Sequence, residues 1–149
     1  MTIDTSVDFV PINIAVITIS DTRTNKTDTS GALLEERIIT AGHTFVSRQI
    51  IPDNFQLIKE NLQNLSNNKD IDCIITTGGT GLTGRDKTPE AIFEVAHKVI
   101  EGFGELFRQI SFAKIGTSAI QSRAIAALIN NTYVFCLPGS KGACKDGWD

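Results

Sequence analysis

Apolar residues gather in four strand-like runs along the chain, and each run stops at a loop of unusual chemistry. Ile12–Ile19 (INIAVITI) is nearly all apolar and β-branched, which suits a strand buried on both faces; it ends at Ser20-Asp21-Thr22-Arg23. Thr44–Ile51 reads as a second strand ending at Pro52-Asp53-Asn54. Ile71–Thr76 is a third, running straight into glycines, and Thr132–Leu137 (TYVFCL) is the last, leading to Pro138-Gly139-Ser140.

Helical spacing fills the intervals. Leu34, Ile38 and Ala41 follow three N-cap candidates (Asp28, Thr29 and Ser30), with Gly42 placed as a C′ glycine. A second helix is predicted from about Phe55 to Leu65, before the polar stretch SNNKD. Thr88-Pro89-Glu90 offers an N-cap hydroxyl, a proline at the first position and an acid in the first turn, which predicts a helix to about Ile100. GFGE at 102–105 reads as a break, with further helices around Leu106–Ala113 and Ser118–Ile129. Ser140 reads as the N-cap of a helix that has barely begun at Asp149. Strands alternating with helices predict one α/β domain over residues 1–149 with a mainly parallel sheet. Residues 1–11 read as an N-terminal extension, and the last helix reads as truncated.

In an open parallel sheet the carboxyl-end loops collect along one edge, and ligands bind in the crevice there. Here that edge would carry SDTR, PDN, TGGTGLTGRD and PGSKG, whereas the opposite turns, GHT, SNNKD and NNT, are ordinary punctuation. Asp21, Asp53 and Asp86 would then converge on a glycine-lined pocket. Carboxylates repel one another beside phosphate-binding amides unless Mg²⁺ lies between them and phosphate oxygens. The pattern therefore points to magnesium-assisted chemistry on a phosphorylated or nucleotide substrate.

Two motif matches in the glycine loop weaken on inspection. Gly79-x-Gly81-x-x-Gly84 fits the dinucleotide fingerprint, but four more residues precede the helix and no suitably placed acid follows. Gly79-x-x-x-x-Gly84 opens like a P-loop and then reads Arg85-Asp86 in place of Lys-Ser/Thr.

The composition narrows the function classes. A net charge of −3 argues against a nucleic-acid or anionic-membrane surface built on bulk charge. Three cysteines without a CxxC pair predict a reducing compartment with no structural disulfide or zinc site. With no signal-peptide build and no apolar run of membrane-spanning length, a cytoplasmic protein is expected.

Thr76–Ala91 (TTGGTGLTGRDKTPEA), Ser20-Asp21, Gly102-Phe103-Gly104-Glu105, Arg108-Gln109-Ile110-Ser111 and Pro138-Gly139 together resemble the MoaB/MogA family of molybdenum cofactor biosynthesis. The resemblance covers the chain from about Ile12 onward. Asp28–Gly31 and Lys141–Cys144 look closer to the MoaB branch. It implies a three-layer α/β/α molybdopterin-binding fold and Mg²⁺-dependent transfer of AMP from ATP to molybdopterin, activating it for metal insertion. It also implies a homo-oligomer, trimer or hexamer, working beside other proteins of the same biosynthesis, with either molybdenum or tungsten as the final metal.

By the same resemblance, Asp86 and Asp53 are the catalytic and magnesium-holding residues. Some MoaB-type members lack the acid matched by Asp53; this sequence keeps it. Substrate binding falls to Ser20, Asp21, Thr77, Gly78, Gly79, Thr80, Gly81, Pro138, Gly139 and Ser140. A non-catalytic molybdopterin carrier with the same pocket is the alternative, and an oligomerising scaffold is a third reading.

Several of these residues also have plain structural explanations. Asp86, Asp53, Ser20 and Ser140 could cap turns or helices. Arg123, placed mid-helix, is as readily solvated or ion-paired as ligand-binding, and Glu105 is left between the site and a subunit contact. His43 and His97 read as structural or solvated, and Trp148 as a packing residue.

Overall fold

The computed structural model describes residues 6–149. Six strands form a single sheet: β1 (Asn13–Ile19), β2 (Thr44–Ile51), β3 (Cys73–Thr77), β4 (Lys98–Ile100), β5 (Ile125–Ile129) and β6 (Thr132–Leu137). Their order is β2-β1-β3-β6-β5-β4. β2, β1, β3 and β6 pair in parallel, and β5 and β4 add an antiparallel flank.

The helices are α1 (Thr29–Thr40), α2 (Phe55–Asn67), α3 (Thr88–Val95), α4 (Glu101–Ile115) and α5 (Lys141–Trp148), with a 3₁₀ turn at Gly116–Gln121. They cover both faces. β1 divides the core by simple alternation: Ala15, Ile17 and Ile19 join Ile58, Leu62 and Ile92 of α2 and α3. Ile14 and Val16 join Leu34, Ile38, Phe107 and Cys144 of α1, α4 and α5. This is the expected three-layer α/β/α arrangement, and it accounts for the unbroken apolar run in β1.

Of the three cap candidates before α1, Asp28 is the one used, accepting from the Gly31 amide at 2.9 Å. Only 2% exposed, its carboxylate also takes the Thr18 hydroxyl (2.8 Å) and pairs with Arg48 (3.6 Å). A buried acid is tolerated because each of these partners offsets its desolvation. Ser140 caps α5 through the Ala143 amide at 3.1 Å.

Four expectations need correction. The helix from Thr88 ends at Val95: Ala96 is extended, and the His97 amide bonds to the Leu128 carbonyl at 2.8 Å, drawing the chain into β4. Thr88 is not its N-cap but its first residue; its hydroxyl donates instead to the Gly78 carbonyl at 3.0 Å. GFGE does not break the chain but lies within the opening of α4, where a Cβ on Gly104 would meet the Ala124 carbonyl at 2.6 Å. That glycine allows the helix to approach β5.

The fourth correction is the largest. Ser118–Ile129 is no helix: it divides into the 3₁₀ turn and β5, which forms a hairpin with β6 through Asn130 at φ 54°. Alanines in AIAALI favour a helix locally, but strand pairing with β6 overrides the propensity.

All three cysteines are free and buried, and burial pushes Cys73 and Cys136 up to about 12. They are small hydrophobes, not nucleophiles. His97 Nδ1 accepts the Asn130 amide at 2.8 Å, and His43 lies against Phe9 and Trp148. Both histidines are structural. Among the described residues, no helix is long and apolar enough to cross a membrane.

Candidate active site at the carboxyl edge of the sheet

Because β1, β2, β3 and β6 run parallel, the four loops singled out in the sequence do meet at one edge. They bond directly to one another. The Ser20 amide donates to the Ile51 carbonyl (2.9 Å), joining the loops after β1 and β2. The Gly78 amide donates to the Leu137 carbonyl (3.1 Å), joining the loops after β3 and β6. The Thr77 hydroxyl donates to the Pro138 carbonyl at 3.1 Å, and the Ser30 hydroxyl to the Gly139 carbonyl at 3.0 Å.

Glycine is required where the backbones crowd. Gly78 has φ 99°, and a Cβ there would stand 2.2 Å from the Ile19 carbonyl oxygen. Gly79 has φ 63°, and its Cβ would fall 2.2 Å from the Thr88 hydroxyl and 3.1 Å from Asp53 Oδ2. Gly84, which completed both motif spacings, has nothing within 4 Å of such a Cβ. The fit to those motifs was therefore fortuitous at that position.

The three aspartates converge as expected. The Asp53 amide donates to Asp21 Oδ1 at 3.3 Å, and Arg85 pairs with Asp21 Oδ2 at 2.6 Å. Asp86 lies against Gly81 and accepts from the Thr83 amide at 3.1 Å and from the Thr83 hydroxyl. Thr83 holds the Asp86 carboxyl below the usual range, working against partial burial and helped by the Gly81 amide and Arg123. Asp53 goes the other way. Burial pushes its carboxyl up, and Asp86 and Asp21 add to the rise, while the Lys87 amide and Arg85 oppose it.

Asp53 Oδ1 is buried without a hydrogen-bond partner. A carboxylate oxygen in that state, beside two other acids, is suited to a cation. Among the described residues no three His, Cys, Asp or Glu side chains cluster as a ready metal cage. Two carboxylates suit Mg²⁺, which is commonly held by one or two acids plus substrate phosphates and water.

Not every predicted binding residue faces the crevice with a free group. The Ser20 hydroxyl accepts from the Thr22 and Arg23 amides, both at 3.2 Å, so it caps its own loop. Thr77 and Thr80 are buried. Glu105 lies on α4 beside Phe93, Val99 and Arg108, in a separate hollow.

Arg123, left open in the sequence between solvent, an ion pair and a ligand, sits just before β5; it pairs with the Glu90 carboxylate and bonds to the Thr80 carbonyl (3.1 Å) and the Asp86 carbonyl (2.8 Å). Its placement in a helix hid that position. The start of an antiparallel β5 lies at the same edge as the end of β6.

A three-layer fold with a glycine loop and acids at this edge defines a ligand-binding α/β domain. Comparison with known proteins makes the class specific: residues 15–149 match the family described as "Probable molybdopterin binding domain". The "Molybdenum cofactor biosynthesis protein B" of Bacillus anthracis is 48% identical over 131 residues, covering 87% of this chain and 78% of its own length. The protein of the same name from Escherichia coli (strain K12) is 41% identical over 144 residues, covering 97% and 85%. A crystal structure of a molybdenum cofactor biosynthesis protein B superposes with a TM-score of 0.91 at 43% identity, over 94% of this chain and 88% of that one. The chain belongs to the MoaB/MogA family of molybdenum cofactor biosynthesis, on the MoaB side.

Proposed function

We propose that the chain catalyses transfer of AMP from ATP to the terminal phosphate of molybdopterin. The observation that carries the reading is the buried, partnerless Oδ1 of Asp53, whose carboxylate stands beside Gly79 and feels the charge of Asp86. A carrier has no need to hold such an acid there.

In the proposed reaction a phosphate oxygen of molybdopterin attacks the α-phosphorus of ATP. The new P–O bond forms as the bond to the β-phosphate oxygen breaks, and pyrophosphate leaves. The nucleophile is already ionised at neutral pH, so no side chain need take its proton. Positioning and charge neutralisation carry such a transfer. Gly78, Gly79, Thr80 and Gly81 would present the loop backbone to phosphate, with the first two allowing close approach. Asp53 and Asp86 would hold Mg²⁺, which when bound neutralises phosphate charge. Asp21, tied to Arg85, would set the crevice wall.

Asp53→Asn tests the assignment. Product should fall by about 10²-fold, as for loss of other electrostatic catalytic groups, while molybdopterin still binds. Equal turnover in the variant would remove Asp53 from catalysis. Molybdopterin binding without product in the unsubstituted chain would favour the carrier.

A homo-oligomer is the second part of the reading. Phe112 of α4 and Ile120 of the 3₁₀ turn (85% exposed) line one exposed apolar hollow, and Phe93 and Val99 line the next, with Arg108 common to both. Contiguous apolar surface of this kind marks an association site, here for further copies of the chain. Sedimentation should give a multiple of 16.2 kDa, and Phe112→Glu should lower it. A monomer before substitution would contradict the assembly.

A further inference from the structure

We propose that Arg123 is a positioning residue of this site, its single guanidinium fixing the Thr80–Gly81 and Asp86–Lys87 peptide planes that bracket the loop carrying Asp86. The inference rests on the adenylyl-transfer reading for its consequence, though not for its geometry.

Three nitrogens of the side chain reach three separate groups. Nε donates to the Thr80 carbonyl at 3.1 Å, Nη2 to the Asp86 carbonyl at 2.8 Å, and Nη1 to the Glu90 carboxylate. Thr80 and Asp86 bracket the loop, and Glu90 stands in the first turn of α3. One rigid fork from the edge of β5 thus ties down both ends of the segment that carries the candidate chemistry. The side chain is only 26% exposed, so it is held in place and little screened.

What the fork does follows from the peptide unit. Each trans peptide is planar, with its carbonyl and the next N–H pointing in opposite directions, and no cis bond occurs among the described residues. Drawing the Thr80 carbonyl to Arg123 therefore turns the Gly81 N–H away from it. Gly81 itself lies against the Asp86 carboxylate, whose Oδ2 would stand 2.7 Å from a Cβ there. Drawing the Asp86 carbonyl to Arg123 likewise turns the Lys87 N–H away from it, at the residue that leads into α3.

Asp53, from the loop after β2, meets the same segment at Gly79, where a Cβ would stand 3.1 Å from its Oδ2. If the Thr80–Gly81 plane rotated, its carbonyl oxygen would turn toward the Asp86 carboxylate beside Gly81 and be repelled by it. Only arginine suits the task. Its planar fork offers five donors in fixed directions, whereas a lysine ammonium is a single point that cannot serve both carbonyls in the same geometry.

The test uses the full chain with Arg123→Gln and Arg123→Lys. The first readout is the backbone ¹H–¹⁵N resonances of Gly81 and Lys87. The second is the split between kcat and KM. Both variants should shift or broaden the two amide signals while those of β1 and α2 stay in place. Turnover should fall by about 10²-fold, the cost expected of a misplacement near 1 Å, with KM for molybdopterin within about 3-fold because ground-state binding is kept.

Arg123→Lys keeps the positive charge, so impairment there comes from lost geometry. Should Arg123→Gln fail to fold, the lysine variant decides alone. Unmoved Gly81 and Lys87 signals in a folded variant would overturn the proposal, as would a raised KM at full kcat. If the unsubstituted chain makes no adenylylated product, the catalytic reading fails and the amide signals alone decide the role of Arg123.

Discussion

Replacing Asp86 by asparagine is expected to reduce AMP transfer by about 10²–10³-fold, the range seen when one preorganised electrostatic group is lost. The fold and molybdopterin binding should stay intact. Asparagine has the same size, and its side-chain carbonyl can still accept from the Thr83 amide and hydroxyl, the bonds that close the loop on Asp86. What disappears is the negative charge. That charge is present at neutral pH, and Thr83 favours it further by holding the carboxyl below its usual range. The substitution thus separates the two roles open to this residue. A turn cap alone predicts an unchanged rate, and a catalytic acid predicts a loss in kcat at an unchanged denaturation midpoint. Full activity in Asp86→Asn would restrict the residue to closing the loop.

Gly78→Ala should destabilise the protein by about 3–5 kcal/mol, at the upper end for a single substitution. Two penalties add. The residue sits at φ 99°, where a Cβ is strained whatever the space. In addition, the new atom would stand 2.2 Å from the Ile19 carbonyl oxygen, which belongs to the backbone of β1 and cannot swing aside. Either β1 or the loop after β3 must move, and the crevice between them changes with it. Gly84→Ala is the internal control: open space surrounds that position, so its midpoint in urea should shift little. Equal effects at the two positions would contradict the distinction.

The parallel half of the fold was legible because β1 and β3 are buried on both faces and all four of its strands end in polar loops. Ile14–Ile19 shows this most clearly, as does the passage of β3 into glycine. The antiparallel half was not legible. β4 is three residues long, below what periodicity can register, and β5 is written in alanine and leucine, so only its hydrogen bonds to β6 make it a strand. The helix expected there hid the place of Arg123 at the edge of the site.

The site followed the same division. Asp21, Asp53 and Asp86 could be grouped because parallel strands bring their loops to one edge. Their differences could not be read from the chain, since they come from particular neighbours: Thr83 beside Asp86, Arg85 beside Asp21, and for Asp53 a buried oxygen with no partner. Ser20 and Ser140 supply hydroxyls at the predicted places, and the structure gives them loop- and helix-capping bonds.

The central claim is that this pocket moves an adenylyl group, and labelled ATP tests it most directly. Purified protein would be incubated with molybdopterin, Mg²⁺ and ATP carrying its label at either the α- or the γ-phosphate, and the pterin then isolated. The account predicts that α-label appears in the pterin and γ-label in pyrophosphate. Pterin that binds yet gains no α-label, or that gains the γ-label, would contradict it.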